Sequence, residues 1–114
     1  MTGHDVEGIV LRYVGASLTG DLGALRECLA DRVRLDWGGV VYTDADEFVT
    51  ACDRGIVWED LEVLGIVHDG DRVAVTYEAT NHDDRVRVRT SELLRIRGGR
   101  ISEAIVAFAA RPLA

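Results

Sequence analysis

From Val6 onward the apolar residues Val6, Ile9, Val10, Tyr13, Val14 and Leu18 recur at spacings of three and four, which predicts an amphipathic helix over residues 6–18 with one buried stripe. Gly20-Asp21 interrupts that period. Asp21 is placed to cap a second helix, in which Leu22, Leu25, Cys28 and Leu29 make one apolar face. Val33, Leu35 and Trp37 then alternate with Arg34 and Asp36, the pattern of a short half-buried strand ended by Gly38-Gly39, with residues 40–42 as its returning partner. Thr43 and Asp46 have the spacing of a capping box ahead of a third, short helix that carries Phe48, Val49 and Cys52 and stops at Arg54-Gly55.

Beyond Gly55 the period changes from helical to alternating. Three turn signals, His68-Asp69-Gly70-Asp71, Asn81-His82-Asp83-Asp84 and Arg97-Gly98-Gly99-Arg100, separate long strands into an antiparallel meander. Three helices followed by a sheet predict an α+β fold in one domain over residues 1–114, the helices covering one face of a curved sheet with room for a cavity between. Over residues 85–97, one face of the strand carries Val86, Val88, Thr90, Glu92, Leu94 and Ile96, and the other Arg85, Arg87, Arg89, Ser91, Leu93, Arg95 and Arg97. Glu92 therefore points where apolar residues point. A carboxylate in a dry setting must find a donor or hold a proton, so Glu92 is either a candidate acid or a rim residue paired with an arginine.

Composition narrows the chemistry. All 13 basic residues are Arg, with no Lys, so Schiff-base and phosphate-loop lysine chemistry are excluded. The same bias reads as the coding of a GC-rich bacterial genome. A net charge of -7 opposes phosphate backbones and anionic lipid, so neither nucleic acid nor a membrane surface is expected as a partner. With no export signal or long apolar stretch, a cytoplasmic location is expected, with Cys28 and Cys52 as reduced thiols. His4, His68 and His82 form no short-spaced ligand cluster, and no glycine-rich dinucleotide turn or nucleophile elbow occurs, so neither metal nor cofactor is expected.

The helix segment Ile9-Val10-Leu11-Arg12-Tyr13-Val14, the opening Gly20-Asp21-Leu22, Leu29-Ala30-Asp31 and the terminal hairpin from Leu94 to Ile101 resemble the nuclear transport factor 2 superfamily, in its SnoaL-like and ketosteroid isomerase-like branch. The resemblance implies a cone-shaped curved antiparallel sheet with three N-terminal helices, a cystatin-like α+β barrel. It matches Tyr13 to a tyrosine that donates to a substrate oxyanion, and Glu92 to the carboxylic acid completing that hole. A carboxylic acid held neutral by an apolar site is the established logic of ketosteroid isomerase. Where those isomerases carry the aspartate base, counting from Tyr13 reaches Trp37, with Asp36 one residue earlier. Asp36 is thus either a base delivered by a bulge or a solvated residue on the polar face.

Val10, Trp37, Trp58, Val88, Thr90 and Phe108 are the side chains expected to contact substrate, the two tryptophans serving equally as core. Arg85, Arg87, Arg89, Arg95 and Arg97 are expected either to pair with Glu62, Glu78 or Glu103, or to lie in a homodimer interface on the outer face of the sheet. The expected activity is cofactor-independent acid/base catalysis on a small apolar carbonyl compound such as a polyketide, terpenoid or steroid-like molecule. Tyr13, Glu92 and Asp36 are its catalytic candidates, and the alternative is a non-catalytic binding or dimerisation module of the same fold.

Overall fold

The structure is a computed structural model and describes residues 3–53 and 58–113. The chain runs α1 (Gly3–Thr19), α2 (Leu22–Cys28), β1 (Leu29–Trp37), β2 (Val40–Asp44), α3 (Ala45–Cys52), β3 (Glu59–Asp69), β4 (Arg72–Asn81), β5 (Val86–Arg97) and β6 (Arg100–Pro112). The helical stripe of α1 is buried as its spacing requires, with Val10, Tyr13 and Val14 fully shielded. Asp21 caps α2 by accepting from the Ala24 amide at 3.1 Å. The cap of α3 falls one residue later than expected. Asp44, not Thr43, adopts the extended backbone of a cap, and its carboxylate accepts from Glu47 N at 3.0 Å. The expected stop at Arg54-Gly55 lies outside the described residues.

Six strands make one sheet in the order β2-β1-β6-β5-β4-β3. The meander β3 to β6 is antiparallel as expected, but β1 pairs with β6 in parallel, so the sheet is mixed, and β2 and β3 remain as edges rather than closing a barrel. That parallel pairing joins the two halves of the chain, setting Leu35 beside Ala104 and Trp37 beside Val106. β1 also begins earlier than its alternation suggested. Leu29, expected on α2, already has extended backbone, and a register shift between Arg32 and Leu35 precedes the regular alternation.

The helices lie on one face of the sheet. Leu25, Leu29, Leu35, Phe48, Val75 and Ile101 fill the space between, all at most 2% exposed. Each such burial contributes about 1.5–3 kcal/mol. Among the described residues no helix is long and apolar enough to cross a membrane.

Candidate active site

One polar cluster interrupts this core. Glu92, 1% exposed, is turned inward by the alternation of β5 and lies opposite Val75 and Val106. Tyr13 on α1 donates its hydroxyl to Glu92 Oε1 at 2.7 Å, and Tyr77 on β4 donates to Glu92 Oε2 at 2.5 Å. Tyr77 pairs with Thr90 in the β4–β5 ladder, one inward position from Glu92, so a long aromatic side chain can reach the carboxyl diagonally. The Thr90 side chain lies beside Tyr77 across the same ladder and eases the rise of its phenol pKa. The hydrogen-bonded cluster therefore runs from Tyr77 through Glu92 to Tyr13.

Burial dominates its electrostatics. Loss of water raises the Glu92 pKa above the ordinary carboxyl range, against the opposing pull of the phenol protons of Tyr77 and Tyr13. Burial likewise pushes both phenols up, followed by the adjacent Glu92 charge, so neither tyrosine is a source of phenolate. The group in the cluster best suited to take up a proton is Glu92.

Beside the cluster lies a cavity of about 570 Å³ between the sheet, the end of α1 and α3. Six of the seven aromatic side chains of the protein line it: Trp37, Tyr42, Phe48, Trp58, Tyr77 and Phe108. Phe48 packs against Trp37 at a centroid distance of 5.6 Å and edge-on to Tyr42 at 5.5 Å. Phe108 is 58% exposed and reaches across to the β1–β2 turn. There Gly38 has φ +62°, a conformation that favours glycine, and a Cβ would come within 3.1 Å of the Phe108 ring, which would have to shift to admit it. A larger concavity, about 810 Å³, opens on the opposite face of the sheet away from Glu92, and is a groove rather than a site with inward chemistry.

Five of the six expected contact residues, Trp37, Trp58, Val88, Thr90 and Phe108, line the inner cavity. Val10 does not. It is fully buried in the stripe of α1 and belongs to the core. Tyr13 and Glu92 are adjacent, but neither lines the cavity; Tyr77 stands between them and the space. Asp36 is turned away altogether. The register shift in β1 lies before Leu35 and leaves Leu35 and Trp37 inward, so Asp36 lines the outer groove and its carboxylate accepts from Gly39 N at 2.9 Å, closing the β1–β2 turn. Of the two placements the sequence left open for Asp36, the structure has the one on the polar face.

Residues 10–104 match the family described as SnoaL-like domain. The chain belongs to this family. No curated protein matches the sequence of this SnoaL-like domain. Among solved structures it is similar to an NTF-2 like protein of unknown function from Burkholderia xenovorans LB400, with TM-score 0.82 and 16% identity, covering 97% of this chain and 88% of the other. It is also similar to a protein named as a candidate ketosteroid isomerase from Kribbella flavida DSM 17836, with TM-score 0.81, 18% identity and coverage of 97% and 84%. A third likeness is to an LEH-like epoxide hydrolase from M. tuberculosis, with TM-score 0.76, 18% identity and coverage of 93% and 84%. At these identities the likeness is one of fold, and the site must carry any argument about activity.

Sequence reasoning about this SnoaL-like domain missed Tyr77 and Asp53. The alternation Val73, Val75, Tyr77, Ala79 marks Tyr77 as inward, and the hairpin at residues 81–84 sets its neighbourhood to Thr90, so the signal was present. Asp53 ends α3 and is the one carboxylate among the described residues lining the cavity. Nothing in its local sequence pointed there.

Three of the five outward arginines, Arg87, Arg89 and Arg95, pair with glutamates, and Arg111 joins them from β6. Glu78 accepts from Arg87 at 2.9 Å, Arg89 at 2.6 Å and Arg111 at 2.9 and 3.1 Å, while Arg95 lies 3.5 Å from Glu103 and Arg87 3.6 Å from Glu62. The Glu78 side chain is only 4% exposed, but its cover is the guanidinium groups themselves. Hydrogen bonds from Arg111 and Arg89 therefore outweigh desolvation and hold its pKa at about 2.

Proposed function

We infer that this SnoaL-like domain is a cofactor-independent acid/base enzyme that isomerises, cyclises or dehydrates a small, largely apolar carbonyl compound, such as a polyketide, terpenoid or steroid-like molecule, through an enolate. The observation carrying this reading is the buried Glu92, held by two phenols at one end of an aromatic-lined cavity. Protonated Glu92 can, through the lining Tyr77, stabilise negative charge developing on a ligand oxygen while Asp53, a carboxylate lining the cavity, takes the α-proton, and apolar walls strengthen the interaction by excluding water. A hydrolytic reaction of the epoxide type has less support, because an arginine set between two inward acids is absent from the described lining.

A second reading is a binding module without turnover, favoured by the outward placement of Asp36, which leaves Asp53 as the lining carboxylate. Turnover separates the two readings. Enolisable apolar ketones are incubated in deuterated water and followed by NMR for exchange at the α-carbon. The enzymatic reading expects exchange that is abolished in Glu92→Leu, which removes both the donor and the acceptor of the carboxyl. Saturable binding with no exchange supports the module.

The reading includes a cytoplasmic homodimer joined through the outer face of the sheet. Val67, Leu93 and Ile105, exposed by 68%, 60% and 59%, align with Ala74 in one row across β3 to β6. Arg34, Arg72 and Arg95 face Asp36, Asp69 and Glu103 around the same groove, so a second copy related by a two-fold axis meets opposite charges. Sedimentation is expected to give a dimer, and Ile105→Arg a monomer; a monomeric native protein refutes this part.

A further inference from the structure

The carboxyl cluster has two oxygen-to-oxygen contacts, Tyr13 to Glu92 and Tyr77 to Glu92. With Glu92 ionised, the two phenol protons fill both contacts, and Tyr77 shows the cavity only an oxygen lone pair, which repels a carbonyl. With Glu92 protonated there are three protons for two contacts, and one O–H is left over. It cannot be that of Tyr13, which is fully buried and lines no cavity. The Tyr77 hydroxyl lies between Glu92 and the lining residue Thr90, and is the one group able to turn outward while accepting the Glu92 proton behind it.

We propose that Tyr77 is the ligand-facing donor of this site, its O–H directed at a carbonyl or enolate oxygen in the cavity while protonated Glu92 donates to the Tyr77 oxygen and Tyr13 holds the far side of the carboxyl. No covalent bond is made or broken in this step; a proton taken from solvent resides on Glu92, and the Tyr77 proton changes direction. The raised proton affinity of Glu92 favours the required state. The titratable groups facing the carboxyl are Tyr13 from α1, Tyr77 from β4 and, through its field on both phenols, Cys52 from α3. Tyr13 is in this scheme a positioning residue, and Thr90, which also lines the cavity and carries a hydroxyl, is the rival donor. The inference rests on the proposed binding of an apolar carbonyl compound and adds which side chain meets its oxygen.

The test uses 2-acetylnaphthalene as a planar apolar ketone and 2-ethylnaphthalene as its hydrocarbon counterpart, with binding read from the fluorescence of Trp37 and Trp58 and donation from the infrared carbonyl stretch of the bound ketone. The native protein is expected to bind both and to lower the carbonyl stretch. Tyr77→Phe is expected to weaken ketone binding about fivefold or more and abolish the lowered stretch, with hydrocarbon binding unchanged, which also reports that the variant is folded. Tyr13→Phe and Thr90→Val, which keep Tyr77, are expected to retain the lowered stretch, and ketone affinity is expected to increase as pH falls and Glu92 gains its proton. Loss of the lowered stretch in Thr90→Val with its retention in Tyr77→Phe assigns donation to Thr90 and overturns the proposal, as does a native carbonyl stretch unchanged from that in apolar solvent. Failure of both probes to bind overturns the cavity reading and this inference together. A Tyr77-dependent stretch with no α-carbon exchange on any ketone leaves the inference standing and removes the enzymatic reading.

Discussion

Removing the Tyr13 hydroxyl tests whether the buried carboxyl cluster is an energetic unit. Tyr13→Phe leaves the ring in its fully buried place and deletes the donor to Glu92 Oε1 at 2.7 Å. A hydrogen bond to a charged or strongly polar partner, lost with its acceptor left dry, costs about 2 kcal/mol. For a chain of this size that lowers Tm by roughly 8 °C. The same change in a Glu92→Leu background should reverse sign. There the Tyr13 hydroxyl has lost its acceptor, so its removal relieves a buried orphan donor and restores about 1 kcal/mol. The coupling between the two sites is then about 3 kcal/mol, well beyond the few tenths by which independent sites depart from additivity. Thermal denaturation of the four proteins at one pH supplies the cycle. If Tyr13→Phe costs the same in both backgrounds, within about 0.5 kcal/mol, the hydroxyl is not coupled to Glu92 and the cluster is not a unit.

Glu92 and Glu78 predict pH dependences of opposite sign. The native pKa of Glu92 lies above its ordinary 4.5, so between those values the folded state holds a proton the unfolded state has released, and stability falls as pH rises through the window. Glu92→Gln is expected to flatten that fall in a plot of Tm against pH, and an unchanged slope assigns it elsewhere. Glu78 runs the other way: from an ordinary 4.5 down to about 2 the unfolded state binds a proton the native carboxylate refuses, so its contribution is present above 4.5 and is lost on acidification. Glu78→Gln is expected to remove part of the acid destabilisation of the native protein below pH 4.5, read from the same titration. Asp36→Ala is expected to cost about 1 kcal/mol through the lost turn hydrogen bond to Gly39, measured by urea unfolding, with ketone binding unchanged; a loss of binding would place Asp36 in the site after all.

The inward direction of Glu92 and the outward arginines of β5 were legible because a strand has a side-chain period of two, which depends on no neighbour. The buried stripe of α1, the N-cap of α2 and the hairpin positions are local in the same sense. The pairing of those arginines with Glu62, Glu78 and Glu103 was also accessible, since register follows once the turns are placed, although Arg111 joined from β6 unforeseen.

What faced Glu92 was not local. The parallel pairing of β1 with β6, between segments far apart in the chain, set Leu35 beside Ala104 and Trp37 beside Val106. Tyr13 comes to Glu92 across 79 positions of sequence, from a helix whose placement over the sheet no local pattern sets. The sequence by itself thus determined which way each side chain points. Tertiary structure alone decided what it points at, because alternation is a property of one strand, whereas a contact needs the register, curvature and helix placement of several.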